Sequence, residues 1–195
     1  MPGRVGAAAP GSSGLALLMG RRADGSTFLF WETHGGEGAT AWRDGTSGVR
    51  VHMSDVLNTR IEVVETEYPL RVEDYALRPG SAGRGKFRGG LGLRRAYRIL
   101  TDDARVTTML ERAVVPPWGL AGGTPGEPYR ITLEREGRAR QGKDKETVVF
   151  RHGDLFILES CGGGGVGPPD ERNPALLEAD RLDGYIRPAE TIHMA

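Results

Sequence analysis

Residues 86–95 read KFRGGLGLRR and put three glycines and four cations around three apolar side chains in ten residues. Glycine lets a backbone take positive φ and come close to another chain or a ligand, while arginine grips carboxylate or phosphate with a two-pronged fork. Such a stretch reads as a working loop set among short strands. A second glycine run, SCGGGGVGPP at 160–169, closes an apolar strand pattern, and the two runs are expected to meet in space.

Composition points the same way. Thirty glycines and twelve prolines in 195 residues favour turns, hairpins and loops over long helices. A hydrophobic share of 38% is lean but sufficient for a core. Lysine plus arginine equals aspartate plus glutamate at 26 each, so no net field argues for nucleic acid or for an anionic membrane as partner. One cysteine, Cys161, excludes an internal disulfide framework, and no apolar run reaches transmembrane length. A cytoplasmic setting is the expectation.

Outward from the central loop, residues 1–14 are small and rich in proline, glycine and alanine, and are expected to form a flexible N-terminal segment. Residues 15–19 and 27–32 flank RRADGS, whose Asp-Gly signals a β-hairpin. The polar loop THGGEGATAWRDGTSG at 33–48, with His34, Trp42 and Arg43, is long for a spacer and reads as a binding surface. Residues 61–67 and 70–77 read as strands. Residues 96–100 and 104–110 around Thr101-Asp102-Asp103 read as a second hairpin. VPPWGLAGGTPGEPY at 115–129 is a loop, three more strands are expected at 129–134, 146–150 and 154–159, and ARQGKDK at 139–145 is expected to be an exposed charged loop. Helix signals gather at 173–185 alone, where Asn173 can cap and Pro174 takes the first helical position. The fold class expected is α+β and β-rich, with short antiparallel strands and hairpins, long Gly/Pro loops and one C-terminal helix.

Individual side chains leave several readings open. His34, His52, His152 and His193 lack metal-ligand spacing, so no metal site is expected within the chain. His52 lies near Asp55 and Asn58, as a member of a polar cluster or as a histidine satisfying loop backbone. Cys161 precedes four glycines, whose N–H groups could lower its pKa and make it a nucleophile, or it is a bystander. Neither glycine run ends in the Gly-Lys-Ser/Thr of a phosphate loop. Arg88, Arg94, Arg95 and Arg112 either hold an anionic substrate or anchor carboxylates of this or another chain.

The order GVRVHMSDVLNTRIE, KFRGGLGLRR, PPWGLAGGTPG, GDLFILESCGGGGVGPPDERNP and DRLDGYI resembles the C-terminal third of the hydantoinase B family, which includes the B half of oxoprolinases and the α subunits of acetone carboxylases. The resemblance covers nearly the whole chain, and residues 15–195 are read as the C-terminal region of such a B-like subunit. It implies one component of an ATP-dependent complex that opens cyclic amides (hydantoin, oxoproline or another lactam), inactive by itself. It implies as partners a hydantoinase A-like ATPase subunit, an N-terminal hydantoinase B-like piece and a small-molecule substrate. ATP with Mg and a divalent metal are expected in those partner chains, and no cofactor in this one. The positions carried over as substrate-binding or interface candidates are His52, Asn58, Thr59, Arg88, Gly89, Gly90, Gly92, Arg112, Gly162, Gly163, Gly164 and Gly165. The chain departs from the family pattern at Arg60, where proline is usual, and at Ser160-Cys161, where Thr-Pro is usual. The alternatives are a truncated, catalytically inactive structural or interaction module, and part of an acetone carboxylase-like complex. On the complex reading, Arg88→Ala or Gly90→Val is expected to abolish activity while leaving the chain folded.

Overall fold

A computed structural model describes residues 3–11, 14–32, 34–50 and 56–187. His52 and His193 lie outside them. Among the described residues, nine strands run in chain order as β1 (Leu15–Arg21), β2 (Thr27–Glu32), β3 (Leu70–Leu77), β4 (Leu93–Ile99), β5 (Ala104–Met109), β6 (Arg130–Arg135), β7 (Arg138–Gln141), β8 (Lys145–Phe150) and β9 (Leu155–Glu159). They form a four-stranded sheet, β2-β1-β5-β8, and a five-stranded sheet, β3-β4-β9-β6-β7. Every strand pair is antiparallel. The helices are the short α1 (Ile61–Glu67) and α2 (Pro174–Leu182). This is the β-rich α+β class read from the sequence.

One core joins the sheets. Alternation sends Ala16, Leu18, Phe28, Phe30 and Val106 inward from the first sheet, against Tyr97, Ile99, Ile131, Leu133, Phe156 and Leu158 of the second. Edge-on ring pairs cross the interface, Phe30 on Tyr97 at 5.6 Å and Phe150 on Phe156 at 6.2 Å.

The β1-β2 hairpin forms as expected, with Arg21 opposite Thr27 at its neck. The second expected hairpin does not. The chain turns at residues 101–103, but β4 pairs with β3 and β9 while β5 pairs with β1 and β8, so the turn carries the chain from one sheet to the other. A local turn signal is the same for both outcomes; the partner strands decide. Residues 61–67 are helical rather than extended. Val64 alone among them is buried, Thr66 bonds back to the Glu62 carbonyl at 2.6 Å, and Glu65 accepts the Val72 N–H at 2.8 Å. The segment is a bracket of about two turns over the start of β3, too short to show a helical period. Part of the ARQGKDK loop is strand β7, whose side chains are all exposed. The C-terminal helix begins where expected, with the Asn173 side chain accepting the Ala175 N–H at 2.9 Å.

Candidate functional site

The two glycine runs meet. Gly163 donates its N–H to the Gly90 carbonyl at 2.9 Å, at the centre of a bundle of extended segments from residues 7–8, 36–48, 81–92, 117–127 and 160–167. The other residues of the second run are tied to two further segments, Gly164 to Ala8 at 2.9 Å, and Gly162 and Gly165 to Glu127 (3.2 Å) and Thr124 (3.0 Å) of residues 117–127. Their carbonyls are used as well, accepting from Gly83, Ala39 and Leu120. The segments approach so closely that a Cβ on Gly163 would overlap the Glu37 carbonyl, and one on Gly89 would overlap the carbonyl of Gly163. The glycines are there to let backbones touch. Gly92 faces the Ser160 carbonyl in the same manner and bonds through its N–H to the Ser81 hydroxyl at 2.9 Å. Within residues 1–14, Ala7 and Ala8 are buried in this bundle, with Ala7 bonded to Ala39 at 2.8 Å and Ala8 to Trp118 at 3.0 Å.

Arginines bind the bundle to its surroundings. Arg88 Nε donates to Asp180 of α2 at 2.8 Å, and its guanidinium stacks on Tyr185 at 5.0 Å. Arg172 bonds both Asp180 (2.7 Å) and Asp44 (2.9 Å), closing a net of two arginines and two aspartates. Fully buried Arg78 donates to the carbonyls of Pro128 and Ser160. Arg94 pairs with Asp74. Arg112 takes a positive φ of 59° and stacks on Trp118 at 4.3 Å. Of the two roles open to Arg88 and Arg94, the geometry realises the anchoring of this chain's own carboxylates.

A different constellation forms at the end of the sandwich beside β2. β4 sends Leu93, Arg95, Tyr97 and Ile99 inward by strict alternation, so Arg95 stands buried in line with core residues. Its guanidinium donates to the Asn58 side-chain oxygen and to the Tyr75 hydroxyl at 3.0 Å, stacks on the Tyr75 ring at 4.5 Å, and lies 3.5 Å from His34 Nδ1. The Tyr129 hydroxyl reaches the His34 carbonyl at 3.4 Å, and Asn58 also donates to the Gly48 carbonyl at 3.3 Å. Beside His34 a hollow of about 120 Å³ opens between Leu29, Trp31, Thr59 and Tyr68.

The charges follow from burial. Desolvation, helped by the nearby Arg50 charge, pulls the His34 pKa down to about 4, so the ring is neutral at pH 7. Burial lowers the Arg95 pKa and raises that of Tyr75. Burial also pushes the Cys161 thiol up to about 12, and with the side chain fully buried and the N–H groups of residues 162–165 bonded to backbone carbonyls, the geometry favours the bystander reading. The imidazole of His34 opens on the small hollow, and behind it a guanidinium, a phenol and an amide hold one another, a set of donors and acceptors able to orient a small polar group at that imidazole.

Of the sequence-derived candidates, Asn58 and Thr59 belong to this constellation. Arg88, Gly89, Gly90, Gly92, Arg112, Gly162, Gly163, Gly164 and Gly165 belong to the glycine bundle and its fastenings. Tyr75 and Tyr129 were not among the candidates. Arg95 carried a readable signal, a cation at an inward position of a strand. Among the described residues, no three His, Cys, Asp or Glu side chains stand together as a metal site. No helix among those residues is long and apolar enough to cross a membrane.

A family model described as hydantoinase B/oxoprolinase matches residues 1–169. An uncharacterised protein of Methanocaldococcus jannaschii is 38% identical over 186 residues, covering 95% of this chain and 32% of its own length. A 5-oxoprolinase of Arabidopsis thaliana is 37% identical over 145 residues, covering 72% of this chain and 11% of its own. The chain therefore spans about a third or less of these relatives. Among solved structures, an acetone carboxylase superposes with a TM-score of 0.82 at 21% identity, covering 95% of this chain and 30% of its own. The ATP-dependent caprolactamase of Pseudomonas jessenii gives 0.80 at 24%, covering 95% and 34%. At those identities the two structures report on fold alone.

Proposed function

The chain belongs to the hydantoinase B/oxoprolinase family, and on that premise we propose that it forms the C-terminal β-rich part of the B half of an ATP-dependent enzyme that opens cyclic amides. The observation that carries this reading is the family match over residues 1–169, which spans both glycine runs and the Arg95 constellation. The 5-oxoprolinase relative supports a lactam-like ring, such as oxoproline or hydantoin, as the substrate class. In this reading an A-type ATPase subunit holds ATP with Mg, and the remainder of the B half holds a divalent metal. This chain contributes a wall. Neutral His34, Asn58, Tyr75 and Arg95 orient the ring's polar edge, and the glycine bundle keeps that wall rigid.

A second reading, an interaction module without turnover, is favoured by one observation: the N–H groups of residues 162–165 are all spent on backbone carbonyls, leaving no cradle for a ligand there. The two readings part on one experiment. The chain is combined with an A-type ATPase and the rest of a B-type protein, and ADP release is measured against 5-oxoproline, hydantoin, caprolactam and acetone. Ring opening coupled to ADP release, present only in the full mixture, is the expected result. Turnover by this chain alone, or ADP release with acetone and no cyclic amide, overturns the cyclic-amide reading; assembly without turnover selects the module.

A further inference from the structure

The outer face of the four-stranded sheet breaks the rule its inner face obeys. An antiparallel sheet with one face in the core ordinarily turns polar side chains to water. Here the apolar outward positions are Leu15, Leu17 and Met19 of β1, Leu29 and Trp31 of β2, Met109 of β5 and Val149 of β8, with the hydrogen-bonded Thr107 and Thr147 on the same face. Cross-strand register makes six of them contiguous, with Trp31 beside Leu17, Leu29 beside Met19 and Met109 beside Leu15; Val149 stands on the same face beyond Arg105 from Met19. Leu29 is 55% exposed, Trp31 37% and Val149 56%. Apolar faces of this extent on a sheet are contact surfaces. The face carries Arg105 in its middle, which asks for an acidic residue opposite, while Arg21 and Lys145 at its margins are paired with this chain's own Asp103 and Asp144. It also runs into the candidate site, because Leu29 and Trp31 line the hollow beside His34.

We propose that this face docks the rest of a hydantoinase B-type protein, the portion answering to the two thirds or so of the M. jannaschii relative that this chain does not match. The proposal rests on the family reading above and names where that partner sits. The relative's large unmatched length supplies a body to cover the face, and a body seated there would roof the hollow, so the site is completed from outside this chain.

The test uses thiol labelling in two settings. Val149→Cys is placed in this chain and in a chimera in which the chain replaces the matched third of the M. jannaschii protein; buried Cys161 gives little background. The new thiol is expected to label fast in the chain and at least tenfold slower in the chimera, while Leu182→Cys on α2 labels equally in both. Equal labelling of Val149→Cys overturns the proposal. So does protection within the isolated chain that grows with its concentration, which assigns the face to a second copy. If the chimera does not fold, the chain is co-expressed with the relative's unmatched two thirds. Co-purification that a Leu29→Asp/Val149→Asp double variant abolishes supports the proposal; co-purification kept by that variant, or missing with the unsubstituted chain, overturns it. A protected thiol in a chimera that, combined with an A-type ATPase, shows no ADP release would sink the enzymatic reading and leave the docking face standing.

Discussion

Arg88 Nε lies 2.8 Å from Asp180 Oδ1, and through that contact the central glycine loop is bolted to helix α2. Arg172 shares Asp180 and reaches Asp44, so each arginine of the net leans on the same helix carboxylate. Arg88→Ala is expected to lower unfolding free energy by about 3 kcal/mol, because a buried carboxylate loses one of its two cations. Arg88→Lys recovers only part of it, since an ammonium cannot bond Asp180 and the Gly89 carbonyl at once as the fork does. Urea midpoints check both. The sequence-derived expectation is that Arg88→Ala stays folded, and the contact adds that it does so with a lowered midpoint.

Gly163→Ala and Gly90→Val place a methyl or more into backbone carbonyls, those of Glu37 and Thr46. Both should cost more than about 4 kcal/mol and yield insoluble chain, where Gly3→Ala, with open space around it, stays within about 0.5 kcal/mol. Soluble yield and thermal melts read the difference, and a folded Gly163→Ala would contradict the tight packing of the bundle.

His34 makes stability depend on pH in a definite window. Burial and the Arg50 charge drop its pKa from 6.5 to about 4. Between those values the unfolded chain binds a proton that the folded chain refuses, so the contribution is complete above pH 6.5 and is lost as pH falls toward 4. Asp44 and Asp154 are held below their ordinary 3.8, burial opposing and the bonds from Arg172 and Arg135 outweighing it, so their loss comes at lower pH. Urea midpoints are expected to fall from pH 7 to pH 5 in the unsubstituted chain and to stay level in His34→Asn.

Asn58→Ala and Arg95→Lys are expected to cut kcat/KM of the assembled enzyme by about ten- to a hundredfold, the range expected when positioning of a ring substrate is loosened. Assembly, followed by size-exclusion chromatography, should be unchanged in Asn58→Ala. Full activity in both variants would remove the constellation from the reaction.

Much of the fold was legible because strand phase is local. The β1-β2 hairpin, the strands at 70–77, 130–135 and 155–159 and the Asn173 cap all follow from alternation and capping chemistry within a few residues. What failed was decided at a distance. Which sheet accepts β5 depends on β1 and β8, and residues 61–67 are helical because Val64 and Glu65 find partners under β3. The meeting of the glycine runs was readable; that their N–H groups serve backbones depends on carbonyls supplied from three other segments. Asn58 and Thr59 were singled out by resemblance, but Tyr75 and Tyr129 join them only through the folding of β3 and the loop before β6.

The glycine bundle has a thermodynamic signature of its own. It conceals amides from water where an ordinary interior conceals methylenes, and hydration of exposed peptide lowers heat capacity while hydration of hydrocarbon raises it. The chain should therefore show an unfolding ΔCp per residue below the usual ~12–15 cal/mol/K and a broader, flatter stability curve, visible by calorimetry. Warming and cooling would erode this protein gently, the mark of a scaffold hardened by its own main chain.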